Sequence, residues 1–216
     1  MENTRIGRFT SSEIYRLMGD GRKKGEPSAA FFAYIQEKKY EKKLGVPIKT
    51  ETYLRASAWG KYLEKRVASM IEDAKLVSDK TIVHSSIDMW GGSPDLVGNN
   101  VVGDIKCYQP LKFAQYTECL MKNDLKLFKK EFSQEFWQLI SNAILTNSEY
   151  MEAVLYLPYQ SELPEIRESL SQYEGGDIWK YRFIAESEDS ELAYQSDFSA
   201  YPNLGRYRFK VREEDK

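Results

Sequence analysis

Two cysteines, Cys107 and Cys119, and one histidine, His84, are all the thiol and imidazole that 216 residues contain. That excludes a disulfide framework and the usual zinc and iron–sulfur ligand sets, so any metal must be held by oxygen. Scarce cysteine also fits a reducing, cytoplasmic setting. Apolar runs stay well short of the ~20 residues needed to span a membrane, and Met1-Glu2-Asn3-Thr4-Arg5 lacks the apolar stretch of a secretory leader. Internal repeats and low-complexity tracts are missing too. The net charge of −2 is not that of a uniformly basic nucleic-acid binder. Its distribution is uneven, with 11 Lys/Arg against 6 Asp/Glu over residues 1–49, 12 against 12 over 50–146, and 8 against 15 over 147–216. A basic front and an acidic tail fit a one-sided DNA surface, and equally fit ordinary solvated helices.

Aromatic residues are abundant, with 15 Tyr, 10 Phe and 4 Trp, enough to fill the core of one domain over 1–216. Thr10 and Glu13 fit a capping box for a helix carrying Ile14, Leu17 and Met18, which Gly19-Asp20-Gly21 ends. A basic loop, 22–27, precedes a second helix, capped by Ser28, with Phe31, Phe32, Ile35 and Tyr40 as its apolar side. Gly45-Val46-Pro47 stops it. A third helix is expected from about 50–52 to Ala74, because Trp59, Tyr62, Leu63, Val67, Met70 and Ile71 recur at three and four residues. Gly60 and Glu64 lie one turn apart at the edge of that stripe. Glu64 reads either as a surface acid paired with Lys61 or as a carboxylate aimed at a site. Strands are expected at 81–84, 87–90, 151–158, 179–185 and 207–211. Helices are expected at 110–121, 131–145 and 163–173, with 122–130 a charged connection. On the helix 131–145, Gln134 and Gln138 sit one turn apart, either as solvent-facing amides or as hydrogen-bond partners of a water or phosphate.

The chemistry concentrates in Ser93-Pro94-Asp95-Leu96-Val97-Gly98-Asn99-Asn100-Val101-Val102-Gly103-Asp104-Ile105-Lys106. Residues 101–107 read as a strand, 94–98 as the strand before it, and Gly98-Asn99-Asn100 as a hairpin turn. Alternation puts Val102, Asp104 and Lys106 on one face, and the turn folds Asp95 back towards Asp104. Two carboxylates and an ammonium then converge as a site for a hard divalent cation with a lysine beside it. An acidic residue two before a lysine occurs six times in this chain, at Glu37, Glu41, Asp73, Asp104, Asp124 and Glu214. Only the pair at Asp104 lies in an apolar strand, behind the chain's single Pro-Asp. Helices bracketing a compact run of strands predict an α/β domain with the acidic site on one face of its sheet.

Glu64, Pro94-Asp95 and Asp104-Ile105-Lys106 together resemble the PD-(D/E)xK nuclease superfamily. The likeness extends to the lambda exonuclease/YqaJ-like phage recombination nucleases. Arg5-Ile6-Gly7-Arg8-Phe9-Thr10-Ser11-Ser12-Glu13 resembles that family's N-terminal segment. Ala58-Trp59-Gly60-Lys61-Tyr62-Leu63-Glu64 resembles its Gly-x-x-x-Glu helix, Asp104-Ile105-Lys106-Cys107 its core, and Phe136-Trp137-Gln138 its glutamine-bearing helix. The four motifs stand in order over residues 5–146, and the likeness fades after Tyr159.

The resemblance implies a restriction-endonuclease-like core, a central mixed β-sheet flanked by helices, and 5′-to-3′ digestion of linear duplex DNA from its ends. It implies Mg²⁺, with Mn²⁺ as a substitute, held by Glu64, Asp95, Asp104 and the Ile105 carbonyl. Lys106 would position or deprotonate the attacking water, and Gln138, with Gln134 as the other candidate, would orient it. Arg5, Ser12 and Ser93 would hold a 5′-terminal phosphate. A homotrimer, a single-strand annealing protein as partner and a bacterial or phage-infected cytoplasm are implied as well. Two other readings remain open at this stage. One is an endonuclease of the same fold acting on branched or specific DNA, and the other is a non-catalytic DNA-binding or assembly protein.

Overall fold

The computed structural model describes residues 5–48, 54–77 and 80–216. The expected helix start at 50–52 and most of the segment searched for a leader lie outside them. In chain order the chain forms β1 (Phe9–Thr10), a 3-10 turn (Ile14–Leu17), α1 (Ala29–Leu44), α2 (Arg55–Ser69), β2 (Ala74–Leu76), β3 (Ile82–Val83), β4 (Trp90–Gly92), β5 (Leu96–Gly98) and β6 (Val101–Lys106). These lead into α3 (Pro110–Met121), α4 (Leu125–Glu131), α5 (Ser133–Thr146), β7 (Tyr150–Tyr156), α6 (Leu163–Ser171), α7 (Phe183–Glu186) and β8 (Leu204–Lys210).

A five-stranded sheet runs in the order β2-β5-β6-β7-β8. It is mixed, because β6 and β7 are parallel while the other neighbours are antiparallel. A parallel pair needs a long crossover, and α3, α4 and α5 supply it. The two central strands read as apolar runs because both of their faces are covered, and Met151, Val154, Leu155 and Tyr156 are fully buried. The edge strand β8 turns Arg206, Arg208 and Lys210 outward, a charged edge that discourages pairing with another chain. One core joins Trp59, Leu63 and Val67 of α2 to Ile105 of β6, Phe136 and Ile140 of α5, and Ile166 of α6. A second, three-stranded sheet, β1-β4-β3, pairs β1 parallel to β4.

Several expectations are corrected. Thr10 caps no helix. It lies in β1, where its N–H donates to the Tyr34 hydroxyl at 2.9 Å, and only a 3-10 turn follows. The Ser28 cap does form, its Oγ accepting from the Phe31 N–H at 3.1 Å, and Gly45 ends α1 in the left-handed region with φ 68°. The apolar side expected on α1 instead faces outward, with Phe32 57 % and Tyr40 50 % exposed. Tyr34, Lys38 and Glu41, at i, i+4 and i+7, are buried in its place. They hold the N-terminal segment through polar contacts, which a search for hydrophobic periodicity passes over. α2 stops at Ser69, and Ala74 begins a strand. Asp124 caps α4 by accepting from the Lys126 and Leu127 N–H groups, so 122–130 is largely helical. Residues 179–185 form short helical turns, because buried Tyr181, Phe183 and Ile184 pack against the core from turns rather than from a strand.

Candidate active site

The hairpin forms as the turn residues dictate. Asn99 and Asn100 join β5 to β6, with Asn100 in the left-handed region at φ 61°, a conformation asparagine tolerates. The register pairs Val97 with Val102 and Leu96 with Gly103, so Asp95 arrives beside Asp104. An Asp95 oxygen, Oδ2, accepts from the Ile105 N–H at 2.7 Å. Alternation along β6 brings Lys106 onto the face of Asp104, and Lys106 Nζ lies 2.5 Å from Asp104 Oδ2.

The helix α5 closes the cluster. Gln138 donates through Nε2 to Asp104 Oδ1 at 2.6 Å and accepts from Lys106 Nζ at Oε1, 3.3 Å away. This divides the two glutamines. Gln138 touches the acidic centre, whereas Gln134 donates to the Ser12 carbonyl at 3.2 Å. Glu64 approaches from α2. It lines a cleft of about 320 Å³ together with Gly60, Lys61, Ile105, Lys106, Cys107 and Tyr108. Gly60 stands over the Cys107 carbonyl and leaves the cleft floor clear of side chain.

The charges are crowded. Burial and the neighbouring Asp104 push Glu64 up to about 7. Burial and Asp104 likewise push Asp95 up to about 8. Burial opposes the Lys106 charge, but Asp104, Asp95 and Glu64 outweigh it and hold the ammonium above its ordinary range. Burial, with Glu64 and Asp95 nearby, raises the Cys107 thiol well above its ordinary range. Three carboxylates against one lysine leave the centre two negative charges in excess when all are ionised. Among the described residues, no three His, Cys, Asp or Glu side chains are already gathered about a common point. The oxygen donors and the uncompensated charge nonetheless fit a hard divalent cation.

The terminal-phosphate candidates lie around the small sheet. β1 and β4 run the same way, pairing Thr10 with Gly91, so Ser12 and Ser93 follow them off the same end. Ser12 Oγ lies 3.4 Å from Thr10 Oγ1, and Ser93 Oγ lies 3.2 Å from Thr81 Oγ1. Arg5 precedes β1 at its other end, where its carbonyl accepts from the Arg8 N–H at 3.1 Å.

Sequence reasoning missed several residues. Ser141 on α5 meets Ser11 Oγ at 2.9 Å and accepts from Trp90 Nε1 at 2.9 Å. Gly92 packs so closely on Ser11 and Asn142 that no side chain fits there. Beside the cleft, Tyr108 and Lys112 both donate to Glu135 Oε1, at 2.6 and 2.7 Å. A signal for part of this existed: Gln134, Gln138 and Ser141 stand at i, i+4 and i+7 on a helix that is otherwise strongly apolar.

No protein-family model and no curated protein matches the chain. Solved structures do. The alkaline exonuclease LHK-Exo from Laribacter hongkongensis superposes with a TM-score of 0.54 at 18 % identity, covering 89 % of this chain and 98 % of that one. The same enzyme in complex with dAMP gives 0.54 at 19 % identity, over 84 % and 92 %. A phage-related exonuclease from Haemophilus somnus 129PT gives 0.59 at 10 % identity, over 96 % and 86 %. The α/β fold, with its central mixed sheet flanked by helices, is thus shared with these proteins, as the sequence resemblance implied.

Proposed function

We propose that this chain is a Mg²⁺-dependent 5′-to-3′ exonuclease that acts on the ends of linear double-stranded DNA. It releases mononucleotides and leaves 3′ single-stranded tails. The observation that carries the reading is the Asp104–Lys106–Gln138 cluster, with Asp95 and Glu64 at its rim, opening into a cleft. The fold likeness to exonucleases, one of them solved with dAMP bound, supports it.

Glu64, Asp95, Asp104 and the Ile105 carbonyl would hold Mg²⁺ or, in its place, Mn²⁺. When bound, the ion lowers the pKa of a coordinated water and offsets charge on the scissile phosphate. Lys106, against Asp104 at 2.5 Å, faces the place of the reacting water. It would position or deprotonate the attacking water and stabilise negative charge on the phosphate. Gln138 fixes the lysine by accepting from it while donating to Asp104, so the ammonium cannot turn away. Arg5, Ser12 and Ser93 would receive the 5′-terminal phosphate, for which a guanidinium offers paired N–H donors. The basic segment 1–49 would draw DNA to that side.

The tails such an enzyme leaves need a single-strand annealing protein, which is the partner this reading adds. A homotrimer is the assembly that the resemblance adds to this reading. No helix of the described residues is long and apolar enough to cross a membrane. The two free cysteines fit the cytoplasm.

The test is digestion of linear duplex DNA labelled separately at each end, with and without a 5′-phosphate and with and without Mg²⁺, beside Asp104→Ala. Mononucleotide release from the 5′ end that needs the metal and is lost in the variant is the expected result. Internal cuts would move the chain to the endonucleases, and binding without hydrolysis would make it an assembly protein.

A further inference from the structure

The cleft beside the acidic centre is lined by two stretches of chain, residues 56–64 of α2 and Ile105 to Gln109 running out of β6. Glu64 and Lys106 supply its charge at the centre, and Tyr108 is the one aromatic ring among the described residues that line it. Two contacts fix that ring. Its hydroxyl donates to Glu135 Oε1 at 2.6 Å. Lys112 Nζ, which donates to the same oxygen, stands 3.9 Å from the ring centre. Glu135 is buried on α5, three residues before Gln138. Burial opposes its charge, but hydrogen bonds from Lys112 and Tyr108 outweigh it and hold the carboxyl below its ordinary range. Burial and Glu135 in turn raise the Tyr108 phenol well above its ordinary range. With its proton committed to Glu135, Tyr108 offers the cleft ring carbon rather than a hydrogen-bond donor.

We infer that Tyr108 is a substrate-binding residue, the wall on which the base of the nucleotide at the cleavage centre stacks. The inference rests on the exonuclease reading and adds to it the place of the base. A phosphate or a sugar hydroxyl loses water against ring carbon and gains no partner, whereas the face of a base stacks on it. Every base has such a face, so an aromatic wall accepts all four and suits digestion of an end whatever its sequence. The cleft, about 320 Å³, lies at the lower end of the ~300–1,000 Å³ usual for small-molecule sites, the scale of a nucleotide rather than of a duplex. One rigid element sets the ring against the centre, because α5 carries both Glu135, on Tyr108, and Gln138, on Asp104 and Lys106.

The test uses the full chain and 5′-phosphorylated duplex ends that carry either a normal terminal nucleotide or a tetrahydrofuran abasic residue in its place. Wild type is compared with Tyr108→Phe, which keeps the ring, and with Tyr108→Leu, which keeps apolar bulk and loses the ring. The value of kcat/KM is measured on each end, with thermal unfolding as a check on folding. Fraying at an abasic end is common to all three proteins and cancels when they are compared. The preference for the base-bearing end should be at least about fivefold larger in wild type than in Tyr108→Leu, the lower end of what one stacked base contributes. Tyr108→Phe should keep most of it. The same preference in wild type and Tyr108→Leu, with activity kept or lost equally on both ends, would make Tyr108 a structural residue. That result overturns the inference and leaves the exonuclease reading standing. Should Tyr108→Leu fail to fold, wild type is inhibited with dAMP and with deoxyribose 5-phosphate, and inhibition no stronger by dAMP overturns the inference. If the wild type releases no nucleotides from ends, or cuts internally, the reading itself fails and the stacking wall falls with it.

Discussion

The acidic centre and the N-terminal segment are built in opposite ways. In the centre, Asp95 reaches the Ile105 N–H across 10 residues of chain and Asp104 meets a lysine two positions on. A two-residue turn and strand alternation place them, both of which are local rules. The N-terminal segment is held by contacts across 34 residues to Glu41, 24 to Tyr34, 122 to Gln134 and 130 to Ser141. Its partners are hydrogen-bonding side chains, with Tyr34, Glu41 and Ser141 buried and Gln134 exposed, and no hydrophobic periodicity marks them. A site carried on a hairpin is written in consecutive residues, whereas the N-terminal segment is held by partners from distant parts of the chain.

The sharpest break of this contrast is at the centre. Asp104→Ala should cost at least ~10³-fold in hydrolysis, the scale on which removal of a transition-state contact is felt. Its unfolding temperature should hold or rise, because a crowded buried charge is removed. A thermal midpoint that collapsed with activity would mean that the cluster is an ion pair of the fold.

Next comes the clamp on the N-terminal segment. Lys38 Nζ lies 2.9 Å from both Glu41 oxygens, and one of these also accepts from the Gly7 N–H at 3.0 Å. Glu41→Ala leaves the buried Lys38 ammonium only Glu37, 3.8 Å away, and leaves the Gly7 N–H without its acceptor, a loss of about 2–4 kcal/mol. Replacing the pair together, Lys38→Met with Glu41→Leu, should recover most of it in denaturant melts. A double variant as unstable as the single would show that the Gly7 hydrogen bond, not the ion pair, is the clamp.

The centre also differs from the segment in its response to pH. Glu64, at about 7, and Asp95, at about 8, are raised above the ordinary carboxylate range by burial and by Asp104. The folded chain therefore keeps protons that the unfolded chain has released from about pH 4 upward. Stability without metal is full below that point and is lost as pH rises through 7 to 8. Thermal melts from pH 5 to 8 should show the decline, and Asp95→Asn should flatten it. Mg²⁺ competes with the same protons, so calorimetric affinity should strengthen over the same window. A flat metal-free profile would mean that the two carboxylates are better solvated than the cleft implies.

The smallest effect belongs to α1. Ser28→Ala removes its N-cap and should cost ~1 kcal/mol, read as a shift in denaturant midpoint with cleavage at the centre unchanged. An equal fall in activity on every DNA end would tie α1 to the centre as tightly as to the N-terminal segment.

Most of the acidic site could be read from the chain alone, because a strand's period of two and an Asn-Asn turn leave little choice of arrangement. Asp95, Asp104 and Lys106 came together for that reason, and the apolar stripe of α2 carried Glu64 to the edge of their cleft. Sequence likewise determined the central strands, since six-residue β-branched and apolar runs have few other destinations, and the caps at Ser28 and Gly45. Tertiary structure decided the rest. It turned Phe32 and Tyr40 out and Lys38 and Glu41 in, drew Thr10 into a strand instead of a helix cap, and folded 179–185 into turns. It also chose between Gln134 and Gln138, which composition and spacing treat alike. The physical reason is common to these cases: hydrophobic burial repeats with the period of its element and is visible in one segment, whereas a buried hydrogen bond depends on a partner that only the finished packing brings within reach.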